Sequence, residues 1–359
     1  MRNMDRRTFL LSTGRWLVIA GLAPSLSGCA RALRWSESQG RTAGDDVAEG
    51  SAPTTASTGT STTETEAGPT TTGATSPTAG QSGSTTSTSG VQFSDLAVFR
   101  GDSPDLNVRA AIAKLGGMER FVKRGAKVVV KPNVLTGRPP EYATTTNPIV
   151  IATIIKMCLE AGADDVTVLD SPTSSPRSAF QTSGLTQAIG EAGGHLKYLS
   201  NRDFERVDMP QGKAITSWPL VAQALEADTL INVPIGKTHG MAGLTLAMKN
   251  LMGIMGDSRG QIHTGFAQKI TDVNTVVKPH LVILDAYRIL TRNGPTGGNL
   301  DDVQMPKTVV AGTSQVSIDA YGTTIMGWKP ADLPSLVEAA SRGLGEMDLA
   351  KLRIFEGTA

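Results

Sequence analysis

The chain has 359 residues, with 34 basic and 33 acidic side chains, and its formal net charge is +1 at pH 7. This balance, together with only 4% aromatic residues, argues against a nucleic-acid-binding surface and against base-stacking platforms. The two cysteines are too few for a disulfide framework, a cysteine-ligated zinc site or an iron–sulfur cluster within this chain.

Residues 1–28 are predicted to be an export signal. Arg6 and Arg7 begin a twin-arginine pattern, RRTFLL, and the apolar stretch 16–26 is too short to span a bilayer stably. The sequence LSGC that ends at Cys29 resembles a lipobox, which implies transfer of a diacylglycerol to Cys29 and cleavage before it. We therefore predict twin-arginine export and a lipid anchor, at the outer face of the cytoplasmic membrane or in the periplasm. An ordinary export signal with a coincidental cysteine is the alternative.

Residues 29–92 are predicted to be a lipid-anchored, disordered linker. More than half of residues 51–90 are Ser or Thr and none is aromatic, so no core can form there. A flexible chain of about 50 such residues has a mean span on the order of 40 Å, enough to hold a domain clear of a membrane. The remaining residues, 93–359, suffice for one large α/β domain or for two lobes around a cleft.

Four apolar, β-branched runs in this region predict strands, and each run ends in polar residues. They end at Lys131 and Asn133, at Asp170, at Lys237 and at Asp285. Continuous apolar runs are typical of strands buried on both faces of a parallel sheet.

The segments between the first runs predict helices. Residues 149–163 and 178–194 have helical spacing and close on glycine, a common C-terminal stop. The predicted fold is therefore α/β, with three layers, a mostly parallel sheet and helices on both faces, similar to a Rossmann arrangement.

The polar strand ends predict a ligand site. In open parallel sheets the ligand crevice lies outside the carboxyl ends of the strands, so we expect Lys131, Asp170, Lys237 and Asp285 to converge there. Two lysines in such a crevice suit a small anionic ligand. The alternative for each residue alone is a solvated loop charge.

Residues 229–263 combine a strand pattern with unusual chemistry. The apolar run leads to Lys237 and His239, then through a glycine-containing turn to a helix that carries Lys249, and on to His263. Lys249 lies within the apolar sequence LTLAMKNLMGIM, where an ammonium without a partner is strongly disfavoured. This pattern indicates a functional lysine, and the alternative is that Lys249 reaches solvent from an amphipathic helix while His239 caps a loop.

A glycine-rich turn follows the Asp285 run. In residues 294–298, GPTGG, consecutive backbone N–H groups could bind a phosphate. A plain turn between two elements explains the sequence equally well.

Several short motifs are spread over nearly the whole of residues 93–359. In chain order they are Lys131-Pro132-Asn133, Thr145-Thr146-Asn147-Pro148, Asp170-Ser171-Pro172, Asn232-Val233-Pro234, Lys237-Thr238-His239, Met248-Lys249-Asn250-Leu251-Met252-Gly253, His263, Leu284-Asp285 and Gly294-Pro295-Thr296-Gly297. As an ordered set they resemble the bacterial and archaeal "domain of unknown function 362" family. The resemblance implies no settled activity. Some members of the family carry a ferredoxin-like segment with clustered cysteines, which this chain lacks.

The spacing of three residues is similar, more distantly, to the lactate racemase family. His239 and Lys249 are ten residues apart, and His263 follows. In the racemases a nickel-pincer nucleotide is joined to a lysine. The resemblance implies that His239 is catalytic, that Lys249 holds a metallo-nucleotide and that His263 is a metal ligand. Leu246 and Ala247 replace the paired glycines that precede the racemase lysine.

The sequence as a whole predicts an exported, lipid-anchored enzyme that depends on a cofactor or metal and acts on a small anionic substrate by racemase-like acid/base chemistry. The alternative is a membrane-tethered protein that binds a small anionic ligand without catalysis. The predicted roles are as follows: His239, Lys249 and Asp285 in catalysis; Lys249, Lys131, Asn133, Lys237 and Asp170 in cofactor binding; His263 in metal binding; and Cys29 as the lipid anchor.

Overall fold

The computed structural model describes residues 93–359. The predicted export signal of residues 1–28, the anchor at Cys29 and the linker of residues 29–92 lie outside the described residues. The described residues fall within one compact unit. Within this part of the chain no helix has the length and apolar character needed to cross a membrane.

Residues 93–359 form thirteen strands and nine α-helices. The strands are β1 (Leu96–Arg100), β2 (Lys127–Pro132), β3 (Asp165–Asp170), β4 (His195–Tyr198), β5 (Phe204–Asp208), β6 (Ser217–Val221), β7 (Thr229–Val233), β8 (Ile235–His239), β9 (Gly243–Thr245), β10 (Leu281–Leu290), β11 (Val303–Gln304), β12 (Thr308–Gly312) and β13 (Ile354–Thr358). The helices are α1 (Pro104–Lys114), α2 (Pro148–Glu160), α3 (Pro176–Thr182), α4 (Leu185–Glu191), α5 (Ala222–Glu226), α6 (Ala247–Asn250), α7 (Phe266–Val276), α8 (Gln315–Ile325) and α9 (Pro334–Ser341).

Eleven strands form one sheet, and β5 and β6 form a separate hairpin. The main path runs β13, β1, β12, β10, β7, β2, β3, β4, with β8, β9 and β11 attached beside β10. Neighbouring strands are parallel except where β12 lies antiparallel between β1 and β10, and in the short pairings of β9 and β11. The predicted mostly parallel α/β fold is confirmed.

The sheet lies between two apolar clusters, which makes three layers. Along β2, Val128 and Val130 belong to one cluster and Val129 to the other. This alternation follows from the period of two in a strand, which points successive side chains to opposite faces. Helices α1 to α4 pack on the first face, whereas α6 to α9 pack on the second. Both faces are therefore covered, as the continuous apolar runs predicted.

The helix predicted over residues 149–163 is found as α2. Asn147 caps its N-terminus by accepting the backbone N–H of Ile149 through its side chain, and Pro148 occupies the first turn. The single helix predicted over residues 178–194 is wrong. The segment forms two helices, α3 and α4, because the chain turns at Gly184. The φ of Gly184 is +76°, a value that residues with a side chain adopt less readily.

Two predicted strand ends are also corrected. The strand that contains Asn232 ends at Val233, and Lys237 lies in the middle of a second strand, β8, after Pro234. Asp285 lies in the middle of the ten-residue β10 rather than at its end. The reason is tertiary, since β10 pairs first with β7 and then continues beside β8.

Candidate functional site

The base of the site is a buried ion pair between β2 and β3. Lys131 Nζ donates to Asp170 Oδ1 at 2.9 Å, to the carbonyl oxygen of Pro132 at 2.6 Å and to Asn250 Oδ1 at 3.1 Å. Asp170 Oδ2 accepts the backbone N–H of Val134 at 2.6 Å. Burial lowers the pKa of Lys131, and the Asp170 carboxylate opposes that shift. All three donors of this ammonium are occupied, so Lys131 holds the wall of the site together.

A second buried lysine is joined to the first through two amides. Lys237 Nζ donates to Asn133 Oδ1 at 2.8 Å and to the carbonyl oxygen of Thr144 at 2.6 Å. Asn133 Nδ2 in turn donates to Asn250 Oδ1 at 2.9 Å, the same oxygen that accepts from Lys131. The pKa of Lys237 is well below its ordinary value because the amine is desolvated, with a further contribution from the charge of Lys249.

Lys249 is carried by α6, which has only four residues. The two backbone N–H groups at the start of α6, of Ala247 and Met248, donate to the Asp319 carboxylate at 2.6 and 3.0 Å. Asn232 Nδ2 donates to the carbonyl oxygen of Ala247 at 2.9 Å. A helix this short is not stable alone, so these tertiary bonds hold Lys249 in place.

The amine of Lys249 has different surroundings from the other two lysines. Its contacts within residues 93–359 are the Met252 Sδ atom at 3.6 Å and the Phe266 ring, whose centroid is 5.7 Å away. Desolvation, with smaller contributions from the charges of Arg259 and Lys131, lowers the pKa of Lys249 to about 7. A substantial fraction of this amine is therefore neutral near pH 7.

Two histidines stack beside this amine. The rings of His239 and His263 have centroids 5.0 Å apart and are inclined by 12°, and His263 in turn stacks on Phe266. Desolvation lowers the pKa of His239 to about 3, assisted by the nearby Lys249, and the pKa of His263 is lowered by the same causes. Both imidazoles are therefore neutral at pH 7.

The hydrogen bonds of the histidines indicate which ring nitrogen carries the proton. His239 Nδ1 faces the backbone N–H groups of Met241 and Ala242 at 3.2 and 3.3 Å, so it accepts and the proton is on Nε2. His263 Nδ1 lies 3.1 Å from the carbonyl oxygen of Gly260, so it donates and Nε2 has a free lone pair. The site thus offers one imidazole N–H and one imidazole lone pair.

These groups surround one cavity of about 340 Å³, a volume typical of small-molecule sites. The residues predicted from the sequence that line it are Lys131, Asn133, Asp170, Lys237, His239, Lys249 and His263. The structure therefore brings these seven side chains together, while their roles remain predictions. Pro295 and Thr296 of the glycine-rich turn also reach the cavity.

Asp285 does not line the cavity. Of the four residues predicted to converge there, Lys131, Asp170 and Lys237 do so, and the prediction is wrong for Asp285. Its carboxylate accepts the backbone N–H groups of Asn147 at 2.7 Å and Tyr287 at 3.0 Å. Complete burial raises the pKa of Asp285 to about 6. The Asp285 carboxylate therefore links the start of α2 to β10 through these two hydrogen bonds.

The turn of residues 294–298 also has internal partners. The N–H of Gly294 donates to Thr238 Oγ1 at 3.1 Å, and that of Gly297 donates to the carbonyl oxygen of Asn293 at 3.0 Å. Arg138 donates to the carbonyl oxygens of Thr296 and Gly297. Two of the N–H groups that were expected to bind a phosphate are thus occupied within the chain.

Sequence reasoning missed two important residues of the cavity. Arg259 lines it and donates to the carbonyl oxygens of Met252 and Ser171. Gly253 lies so close to the ion pair that an added Cβ would be 1.7 Å from Asp170 Oδ1 and 2.6 Å from Lys131 Nζ. Arg259 stands in the sequence between two predicted site residues, Lys249 and His263, which was the available signal. The close approach at Gly253 exists only in three dimensions.

The described side chains around the cavity do not by themselves form a metal site. Among the described residues, no group of three or more His, Cys, Asp or Glu side chains is placed to hold a metal. His263 Nε2 is buried and has no hydrogen-bond partner there. One imidazole lone pair does not provide a protein-only metal site, which needs three or four ligands. The His263 lone pair could instead add one ligand to the metal of a cofactor that supplies the remaining ligands itself. Lys249, on the same cavity wall, is a group that could hold such a cofactor.

A comparison with known families identifies residues 128–324 as "Domain of unknown function (DUF362)". The match covers more than half of the 359-residue chain. A curated relative, a thylakoid-associated protein of Synechocystis sp., is 29% identical over 252 residues, which cover 66% of this chain and 74% of the relative.

Two solved structures are similar to this fold. One is the lactate racemase apoprotein of Thermoanaerobacterium thermosaccharolyticum, with a TM-score of 0.38 and 13% identity over 64% of this chain. The chain spans 56% of the length of that racemase. The other is a protein of Thermotoga maritima, with a TM-score of 0.31 and 12% identity over 52% of this chain and 51% of that one. The sequence had predicted a distant likeness to the racemases, and a structural likeness is found.

Proposed function

The chain belongs to the DUF362 family, and we propose that its domain is an enzyme that binds a small anionic substrate in the cavity and performs acid/base chemistry on it. One observation carries the proposal. Four basic side chains line the cavity, Lys131, Lys237, Lys249 and Arg259, whereas Asp170 is the only carboxylate among the described residues that line it.

The imbalance of charge favours an anionic ligand. Asp170 pairs directly with Lys131 at 2.9 Å. Among the described residues, no carboxylate forms a salt bridge with Lys237, Lys249 or Arg259, all of which line the cavity. Burial lowers the pKa of Lys237 and of Lys249, and nearby like charges lower both further: Lys249 and Lys131 act on Lys237, and Arg259 and Lys131 act on Lys249. An anion among them relieves this repulsion and is held more strongly than in water, because the cavity is largely desolvated.

Free hydrogen-bond donors support the same proposal. Arg259 uses two of its five N–H groups on the carbonyl oxygens of Met252 and Ser171. Lys237 in its charged form has one N–H left beyond its bonds to Asn133 and Thr144. These donors suit a carboxylate or phosphate group.

The acid/base part of the proposal rests on neutral groups. Lys249, with a pKa of about 7, can take a proton at neutral pH. His263 offers a lone pair at Nε2, while His239 offers an N–H that can polarise a substrate oxygen. We therefore assign His239 the role of hydrogen-bond donor, in place of the general acid/base role predicted from the sequence.

A more specific form of the proposal is that the enzyme carries a metallo-nucleotide cofactor held by Lys249. The support is the free amine of Lys249 and the free lone pair of His263, both of which line the cavity. Such a cofactor would add a redox centre to the site. The residues of this chain would orient the substrate anion through Arg259 and Lys237 in either case.

Export and lipid anchoring are the second part of the proposal. The support is the twin-arginine pattern at Arg6 and Arg7, the lipobox-like sequence that ends at Cys29, and the description of the Synechocystis relative as thylakoid-associated. A protein exported in folded form can carry a cofactor acquired in the cytoplasm, which agrees with the cavity described above.

The test uses the full-length chain and small anions. Isothermal titration calorimetry should detect binding of lactate or phosphate, and Arg259→Gln should weaken it while the exposed-site control Arg124→Gln should not. Proton NMR in D2O should then detect deuterium incorporation into at least one hydroxy or oxo acid, and Lys249→Met should abolish it. Binding without any exchange would favour the alternative, a binding protein. Absence of binding would refute both functions.

A further inference from the structure

The amine of Lys249 differs in kind from the other two amines in the cavity. Lys131 Nζ donates to three oxygen atoms and Lys237 Nζ to two, so oxygen acceptors fix the position of both amines. Among the described residues, the Lys249 amine contacts only the Met252 sulfur and the face of the Phe266 ring. An amine in such surroundings is available as a nucleophile when it is neutral.

The protonation state of Lys249 also suits a nucleophile. Burial lowers the pKa of Lys131 and Lys237 as well, so the oxygen contacts are what distinguish those two amines from Lys249. A lysine with the ordinary pKa of 10.5 is neutral in about one molecule in several thousand at pH 7. Burial and the neighbouring Arg259 lower the pKa of Lys249 to about 7, which leaves about half of the amine neutral. A desolvated lysine beside other cations is the arrangement that activates an amine toward carbonyl groups.

A second observation concerns hydroxyl and imidazole groups on the same wall. Thr245 is buried, lines the cavity, and its Oγ1 has no hydrogen-bond partner among the described residues. The buried Nε2 of His263 is likewise without a partner there. Buried polar atoms without partners are costly, and a ligand oxygen or hydroxyl in the cavity would satisfy them.

We propose that Lys249 forms an imine with a small carboxylate that also bears an aldehyde or ketone, such as a 2-oxo acid. The inference rests on the proposed anion-binding function and names its substrate class. Arg259 and Lys237 hold the carboxylate, which places the carbonyl carbon toward the unpaired amine of Lys249 on α6.

The reaction is balanced without a further reactant. The lone pair of the neutral Lys249 nitrogen attacks the carbonyl carbon, and the π electrons of the carbonyl move to oxygen. A proton passes from nitrogen to that oxygen, giving a carbinolamine whose hydroxyl group can bond to Thr245 or His263. The carbon–oxygen bond then breaks, water leaves with a second proton, and a carbon–nitrogen double bond forms. Amine and carbonyl compound are thus converted to imine and water.

The test is reductive trapping with pyruvate. The full-length chain is incubated with pyruvate and sodium cyanoborohydride, which reduces an imine to a stable secondary amine. Intact mass and peptide mapping should show one adduct, on Lys249. The adduct should be lost in Lys249→Met. It should be retained in Lys213→Met, because Lys213 is exposed and does not line the cavity. Excess lactate, which has no ketone but would occupy the same anion site, should suppress it.

The results separate this inference from the proposed function. If lactate binds but pyruvate leaves no adduct on Lys249, the imine inference is wrong and the anion-binding function stands. If neither lactate, phosphate nor pyruvate binds, both are wrong. Adducts spread evenly over Lys213 and other exposed lysines would also overturn the inference. Peptide mapping of the unmodified sequence locates the adduct even if Lys249→Met folds poorly, and thermal unfolding of the variant shows whether it does.

Discussion

At the scale of single residues, the partners of a buried amine decide what it can do. Lys131 and Lys249 are both buried lysines, yet Lys131 has a carboxylate at 2.9 Å, whereas Lys249 forms no salt bridge with any described residue. Removing one partner of a buried ion pair leaves a charge without compensation, which is strongly destabilising. We therefore expect Lys131 to be needed for folding and Lys249 for function.

Lys249 should make anion binding depend on pH. The pKa of Lys249 is about 7 without ligand, and a bound anion raises it. Its contribution to affinity is therefore present at lower pH and is lost as pH rises above 7 through the pKa of the complex. Lys249→Met should weaken lactate binding by about tenfold to hundredfold near pH 6, the value of a hydrogen bond to a charged group.

Calorimetry at about pH 6 and about pH 9 checks this expectation, since an ordinary lysine would stay charged over most of that range. Lys213→Met serves as the matched control and should follow the unmodified protein at both values. Equal pH dependence in Lys249→Met and the unmodified protein would show that another group titrates on binding.

Gly253→Ala should destabilise the domain because the added Cβ would overlap the buried ion pair. The Cβ would lie 1.7 Å from Asp170 Oδ1, which forces that carboxylate away from Lys131. Disruption of a buried pair costs about 3–5 kcal/mol, which chemical denaturation can measure. Gly240→Ala, where nothing lies within 4 Å of the added atom, is the control and should change stability by less than about 0.5 kcal/mol. A similar small effect at both glycines would contradict the geometry.

At the scale of elements, α6 is the part of the fold that depends most on its neighbours. It has four residues, which is too few to be stable alone. Asp319 on α8 accepts two N–H groups at its start, and Asn232 on β7 and Asn274 on α7 bind its carbonyl oxygens. Three separate elements thus place Lys249 in the cavity.

Asp319→Ala should loosen α6 and displace Lys249. Two buried N–H groups would lose their acceptor, at a cost of about 1–3 kcal/mol each. Denaturant unfolding should show the loss of stability, and trapping with pyruvate should decrease even at temperatures where the variant is folded. Asp164→Ala, at an exposed aspartate without side-chain partners among the described hydrogen bonds, should leave both readouts unchanged. Full trapping in Asp319→Ala would mean that α6 is held without this carboxylate.

At the scale of the whole molecule, the sheet separates two apolar clusters and leaves the cavity at one end of its parallel strands. Lys131 and Asp170 lie at the carboxyl ends of the neighbouring strands β2 and β3. This is the place where open parallel sheets bind ligands. The signal and linker predicted for residues 1–92 would add a membrane attachment to this domain.

Cys29→Ala should release the protein from membranes. Since a diacylglycerol on Cys29 is the predicted attachment, the variant should move from the membrane fraction to the soluble fraction while the domain keeps its thermal unfolding temperature. Labelling with a fatty acid should mark the unmodified chain only, with Cys158→Ala as the control. Membrane retention and equal labelling of Cys29→Ala would remove the lipid anchor from the proposal.

Much of the fold could be predicted because local patterns report burial. The apolar runs at β2, β3 and β10 and the helical spacing of α2 follow from side-chain periodicities that hold whatever the partners are. The break at Gly184 and the continuation of β10 beyond Asp285 were missed. The continuation of β10 depends on which strand lies beside the chain, and that information is not local. The break was signalled locally by Gly184 within the helical pattern, and that signal was not used.

The sequence by itself determined the fold class, the family, and seven of the residues that line the cavity. Lys131, Asn133, Asp170 and Lys237 followed from strand patterns that share one edge of a parallel sheet, and His239, Lys249 and His263 from a lysine within an apolar run and its spacing from two histidines. Only the tertiary structure decided their roles. It joined Lys131 to Asp170, removed Asp285 from the cavity, added Arg259, and left the amine of Lys249 without an oxygen partner among the described residues. The physical reason is that charge, pKa and reactivity depend on distances of about 3 Å between side chains far apart in the chain, which no sequence spacing specifies.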